Sequence, residues 1–152
     1  MTTTQTSIAQ RWVDGWNSHE VQRILACLTA DAVYEDLPLG AVNHGHAEAR
    51  QFIETGWAAF PDLRFELNGS ANDGSHGTVE WTMSGTHQGD FPGLPATGKA
   101  FSVRGVSVLE LAGDQIRRVR DYWDFATVLQ QLGFLPAPEQ SPPAPAGELA
   151  SH

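Results

Sequence analysis

The segment RRVRDYWD, residues 117–124, decides how this chain is read. It sets three of the chain's nine basic residues within four positions, then two aspartates and two large aromatics. Taken as a strand it has two unlike faces, because successive side chains point to opposite sides of a sheet. Val119, Asp121 and Trp123 share one face; Arg118, Arg120 and Tyr122 share the other. The first set is apolar except for Asp121, so it is expected to face the interior, with both arginines turned toward solvent or a partner subunit. Arg117 belongs to the hairpin end. Asp124 directly precedes a helical pattern and reads as its N-cap. A carboxyl group flanked by Val119 and Trp123 in an apolar interior has its pKa raised by desolvation. That shift is what makes a carboxyl a proton shuttle near neutral pH. The structural alternative for Asp121 is an ion pair with an arginine on a neighbouring strand.

Upstream, the hydrophobic period changes once. Ile8, Trp12, Val13 and Trp16 recur at helical spacing, as do Val21, Ile24, Leu25 and Leu28 in a second helix and Ala49, Phe52, Ile53 and Trp57 in a third over 47–59. Pro61 stops the third helix. A short strand, Asp31 to Leu37, lies between the second and third, closed by Pro38-Leu39-Gly40. From Leu63 the period is two: Leu63, Phe65 and Leu67 alternate with polar residues, Asn72-Asp73-Gly74 makes a turn, and Val79, Trp81 and Met83 share one face of the next strand. A strand over 100–111, a Gly113-Asp114 hairpin, residues 116–123 and a last helix ending at Gly133 complete the order. Helices followed by about four meandering strands give an α+β fold with a cavity between a curved sheet and its helices. Residues 1–135 are expected to form one domain, and 136–152, with five of the chain's nine prolines, a disordered tail.

Composition narrows the function. The net charge of −9 disfavours a nucleic-acid partner and an anionic membrane surface. No apolar run has the length of a membrane span, and the single Cys27 suits a reducing compartment, so a cytoplasmic protein is expected. Asn43-His44-Gly45-His46 lacks a third metal ligand at workable spacing and reads as a loop turn; neither metal nor cofactor is expected.

Several motifs together resemble the SnoaL-like polyketide cyclases of the nuclear transport factor 2-like superfamily. They are Tyr34-x-Asp36-x-Pro38, Phe60-Pro61-Asp62-Leu63, Trp81…Gly85-Thr86-His87-x-Gly89, Gly93-Leu94-Pro95-x-Thr97-Gly98-Lys99, Arg104-Gly105, and Asp121-Tyr122-Trp123-Asp124 before Leu129-x-x-Leu132-Gly133. The likeness covers roughly residues 8–135. It implies a cone of curved antiparallel sheet with the N-terminal helices over its concave face, and a homodimer. It also implies that the acid/base aspartate of the cyclases falls at Asp121. Function varies within the superfamily, from aldol cyclases through isomerases and hydrolases to non-catalytic modules, and fold alone does not choose among them.

Other site candidates follow from parity and motif position. His87 shares the Val79–Trp81–Met83 face and is a candidate to bond an enolate oxygen or orient Asp121; the alternative is a strand-end histidine bonded to loop backbone. Asp36, beside the Pro38 turn, is a pocket-mouth carboxylate or a turn cap. Trp81, Met83, Trp123 and Phe65 are expected to grip an apolar or polycyclic substrate. The direction of Arg104 is open; pointing inward, it would pair with Asp121 and favour water addition to an epoxide. The readings are therefore an Asp121-based cyclase without a cofactor, an epoxide hydrolase using Asp121, Arg104 and Asp36, or a small-molecule-binding dimer.

Overall fold

The computed structural model describes residues 7–136, so most of the stretch expected to be a disordered tail, 136–152, lies outside the described residues. The chain opens with α1 (Ile8–Ser18), where Ser7 Oγ accepts from Gln10 N at 3.1 Å. An apolar side chain every third or fourth residue is what a helix needs to cover a core, and α1 buries Ala9, Trp12, Val13 and Trp16. The second helix, α2 (Val21–Leu25), is only one turn long. Leu28, expected on its stripe, instead opens strand β1 (Leu28–Asp36), where it pairs with Ile116. A five-residue helix gains more by yielding Leu28 to a sheet ladder than by adding a frayed turn.

After β1 the chain reverses through Gly40 (φ 66°) into β2 (Ala41–His44), which the sequence reading took for a loop. Four residues without clean alternation carry no strand signal; their partner β1 imposes the conformation. Then follow α3 (Gly45–Ala59), β3 (Arg64–Asn72), β4 (His76–Thr86), β5 (Ala100–Ala112), β6 (Gln115–Trp123) and α4 (Phe125–Leu132). Asp124 caps α4 by accepting from Thr127 N at 3.0 Å, and Gly133, with φ 88°, ends it in the left-handed conformation where glycine carries no steric penalty.

The six strands form one sheet in the order β2-β1-β6-β5-β4-β3. Every pairing is antiparallel except β1 with β6, which is parallel. Register shifts in the β1–β6, β3–β4 and β5–β6 pairings bend the sheet, since an extra residue on one strand kinks it and raises its twist. Helices pack on the inner face: Trp12 and Phe52 lie against Tyr34 with ring centroids 5.6 and 5.3 Å away, and Trp16 lies 5.2 Å from Phe65. The parity of β6 is as read. Val119 and Asp121 are buried, while Tyr122 is exposed. On the outer face Arg118 reaches Glu35 at 2.7 Å, Arg120 reaches Glu110 at 3.3 Å and Arg117 reaches Glu110 at 3.2 Å.

Gly105 on β5 leaves no room for a side chain on the inner face. A methyl group there would overlap the Trp81 ring and sit 2.7 Å from the Tyr122 carbonyl oxygen. The missing side chain lets the Trp81 indole lie across β5. Gly105→Ala is expected to destabilise the fold by about 1–3 kcal/mol through overpacking; an unchanged urea midpoint would contradict this packing.

Candidate active site

Three neighbouring strands carry one polar row across an otherwise apolar concave face. Asp36 on β1 is the register partner of Asp121 on β6, and Asp121 is the register partner of Ser107 on β5. All three are buried. The parallel β1–β6 pairing therefore sets two carboxyl groups side by side under the helices.

Asp121 is held at both oxygens by neutral donors. Tyr34 Oη donates to Oδ2 at 2.6 Å and Ser107 Oγ donates to Oδ1 at 2.6 Å. Trp81 Nε1 in turn donates to Ser107 Oγ at 2.9 Å, which commits the serine's own proton to Asp121. No arginine pairs with it, so the ion-pair alternative gives way to two hydroxyl contacts. Asp36 is anchored by Trp123 Nε1 at 3.0 Å on Oδ2 and by Leu39 N at 3.1 Å on Oδ1, so it serves as turn cap and cavity carboxylate at once.

Burial sets the acidity of this pair. The Asp121 carboxyl is pushed up to about 7, first by desolvation and then by the Asp36 carboxylate, against the two hydroxyl hydrogen bonds. Desolvation pushes Asp36 up to about 6, opposed by the bonds from Trp123 and Leu39. The Tyr34 phenol is raised well above its usual range by its own burial and by Asp121, so it remains a neutral donor.

The cavity below these groups measures about 80 Å³. Asp36, Asp121 and the Tyr34 hydroxyl are set among Trp16, Phe65, Trp81, Met83, Phe101 and Trp123. Of the residues expected from the sequence, Asp121, Asp36, Trp81, Met83, Phe65 and Trp123 all reach this wall. His87 and Arg104 do not. His87 is fully buried, but it stacks on Phe60 at 5.2 Å and its Nδ1 meets Thr97 Oγ1 at 3.3 Å. Phe60 lines the cavity and His87 does not, so His87 packs behind Phe60 and ties down the 88–99 loop. Arg104 is exposed on the side of β5 opposite Phe101 and Val103. The Arg104–Asp121 pairing required by the water-addition alternative is not formed.

Sequence reasoning missed Tyr34 and Ser107. Tyr34 leaves a trace in the sequence, two positions before Asp36 and so on the same strand face, whereas Ser107 lies on a strand whose two faces are about equally apolar and leaves none. What the sequence does not carry is the β1–β6 pairing that brings them to Asp121.

Raised carboxyl pKa values have a stability consequence of definite sign. Between their ordinary value of 3.8 and the folded values of about 6 and about 7, the folded chain holds more protons at Asp36 and Asp121 than the unfolded chain. Their contribution to stability therefore falls as pH rises through that window and is constant above it. Urea midpoints measured from pH 4 to pH 8 for the protein and for Asp121→Asn are expected to differ by an amount that shifts across this window. A difference independent of pH would show that Asp121 ionises normally.

Comparison with known proteins identifies the family and fold of the chain. The SnoaL-like polyketide cyclase family matches residues 6–132. Aklanonic acid methyl ester cyclase DauD of Streptomyces sp. (strain C5) is 26% identical over 148 residues, covering 93% of this chain and 89% of the relative. Aklanonic acid methyl ester cyclase DnrD of Streptomyces peucetius is 26% identical over 141 residues, covering 86% and 91%. Among solved structures, a protein of ketosteroid isomerase-like fold from Catenulispora acidiphila superposes with a TM-score of 0.75 at 22% identity, covering 86% of this chain and 95% of that one. TsrD from Streptomyces laurentii gives 0.75 at 23% identity, covering 84% and 93%. These structural likenesses speak for the fold, and the match across residues 6–132 for the lineage: the chain belongs to the SnoaL-like polyketide cyclase family.

Proposed function

We propose that the protein is a cyclase in which Asp121 acts as general base and then general acid on a ring-bearing carbonyl substrate. The observation that carries this reading is the state of Asp121: a buried carboxyl whose oxygens are held by two hydroxyls and, among the described residues, by no cation. A base so held keeps its basicity, whereas a guanidinium partner would lower it. The two relatives named as aklanonic acid methyl ester cyclases support the same class of reaction.

The steps balance within the chain's own groups. Asp121 takes a proton from the carbon α to a carbonyl, and the C–H electrons pass into the enolate. The enolate carbon attacks a second carbonyl of the same molecule, forming the new C–C bond and an alkoxide. Asp121 returns its proton to that alkoxide. Ser107 is committed to Oδ1 by Trp81, so the proton in transit belongs on Oδ2. Once Oδ2 carries it, the Tyr34 hydroxyl no longer needs to donate there and is released to donate to a substrate oxygen. Asp36, with its negative charge beside Asp121, raises the basicity of the reacting group. A positioned acid/base group contributes roughly 10²–10⁴-fold to rate.

Asp121→Asn is therefore expected to lower kcat for deuterium wash-in at the α-carbon, and for ring closure, by roughly 10²–10⁴-fold with the fold retained. In the unmodified protein kcat/KM is expected to rise with pH through a value near 7 and then level, since the base must be ionised to accept a proton. Aklanonic acid methyl ester is the compound to assay. Undiminished exchange by Asp121→Asn, with a pH profile flat through neutrality, would sink the assignment.

A further inference from the structure

Aromatic rings make up most of the wall of the cavity beneath Asp121, and neighbouring rings meet at steep angles. Phe65 and Trp81 cross at 88° with centroids 5.0 Å apart, Phe60 and Phe101 at 76° and 5.0 Å, and Trp123 and Phe125 at 64° and 5.2 Å. Rings set in this way enclose the space as the sides of a box do. The indole N–H groups of Trp81 and Trp123 are engaged by Ser107 and Asp36, so both residues offer the cavity ring surface and no donor.

The ionisable groups of this box are all acids. Asp36 enters from β1 and Asp121 from β6, with the Tyr34 phenol of β1 bonded to Asp121. Among the described residues no Lys, Arg or His lines the space. Arg118 and Arg120 stand on the other face of β6, paired with Glu35 and Glu110. Two neighbouring carboxyl groups are thus buried with neutral hydrogen-bond donors on their oxygens and no counter-charge.

Electron-rich ring faces and buried carboxylates favour the same kind of occupant, an organic cation. An aromatic face attracts a cation held within roughly 6 Å of its centroid, and more strongly where water is excluded. The cavity measures about 80 Å³, a few times the ~30 Å³ that one water takes up in the liquid. It therefore admits a head group of several heavy atoms and keeps it within reach of more than one ring. An ammonium with N–H groups would need an acceptor for each, and every carboxylate oxygen here already accepts a hydrogen bond. Methyl groups in place of those hydrogens remove the demand and spread the charge over a surface that packs against rings.

We propose that this cavity binds the trimethylated ammonium head of a small quaternary amine, caged by its aromatic walls and balanced by Asp36 and Asp121. The cation takes the space assigned above to the reaction, so a bound amine excludes the carbonyl substrate. That exclusion rests on the proposed function, whereas the binding rests on the walls and the charge alone. Ionisation of the two carboxyl groups and binding of the cation favour each other. Affinity therefore rises with pH through the values of about 6 and about 7 to which Asp36 and Asp121 are pushed.

The test titrates choline and its uncharged isostere 3,3-dimethylbutan-1-ol into the protein, following each ligand's methyl resonance by NMR. The two share a shape and differ in one central atom and its charge. At pH 8 choline is expected to bind at least roughly tenfold more tightly than the alcohol, and at pH 5 that ratio is expected to shrink severalfold. Asp121→Asn keeps the shape of the side chain, and is expected to lower choline affinity severalfold at pH 8 while leaving the alcohol unchanged. Choline that binds no more tightly than the alcohol at pH 8, or not at all, overturns the cation site. A choline preference untouched by Asp121→Asn overturns it as well. Deuterium wash-in reads the acid/base assignment separately. Loss of exchange in Asp121→Asn, with equal binding of both ligands to the unmodified protein, removes the cation site and leaves the base. Retained exchange, with a choline preference that falls in the variant, does the reverse.

Discussion

The parallel contact between β1 and β6 is the constraint from which the rest of the site follows. Every other pairing in the sheet joins strands by antiparallel register, and four of the six strands, β2, β4, β5 and β6, are reached from the strand before them through a hairpin or a return loop. The chain makes β1 early, leaves it through β2 and α3, and comes back to its far edge with its last strand. Only that long-range closure sets Asp36 opposite Asp121 and brings the Tyr34 hydroxyl within 2.6 Å of it. Two carboxyl groups buried as neighbours raise each other's cost of ionisation, beyond what desolvation imposes on either alone. The fold carries that cost in the middle of its sheet, where a pair of apolar residues would be more stable. Strain of this kind at a site is the usual sign that stability has been traded for chemistry.

Local pattern made much of this legible. The two faces of β6, the alternation in β3 and β4, the stripe of α1 and the cap at Asp124 each depend on residues a few positions apart, and the structure agrees with each. Long-range geometry was the part that sequence did not carry. His87 has the parity of a cavity residue, yet Phe60 fills the place between it and the cavity, and that packing comes from α3's end, far along the chain. Arg104 lies on a strand whose outer positions include Val106 and Val108, so hydrophobicity gave no parity signal; the pairing with Thr82 on β4 decides its direction. β2 likewise exists because β1 offers it an edge.

Strand alternation explains how the motif RRVRDYWD places so many arginines next to a buried carboxyl group without pairing them to it. Arg120 is the immediate neighbour of Asp121, and Arg118 is three positions before it. A guanidinium against the Asp121 carboxylate would hold it ionised and weakly basic. Strand alternation keeps both arginines on the outer face, where Glu35 and Glu110 meet them. A slip of one residue between β6 and its neighbours would carry Arg120 inside and Asp121 out, because the side-chain period is two. Register is therefore part of the chemistry here. It is pinned from within by Val119 and Ile116, fully buried on the same face, and from without by the Arg–Glu contacts across β1, β6 and β5. The outer charges, worth little as isolated surface pairs, matter as a set that makes the wrong register unfavourable. The same eight residues thus supply the carboxyl group proposed to react and the arginines whose contacts keep it facing inward.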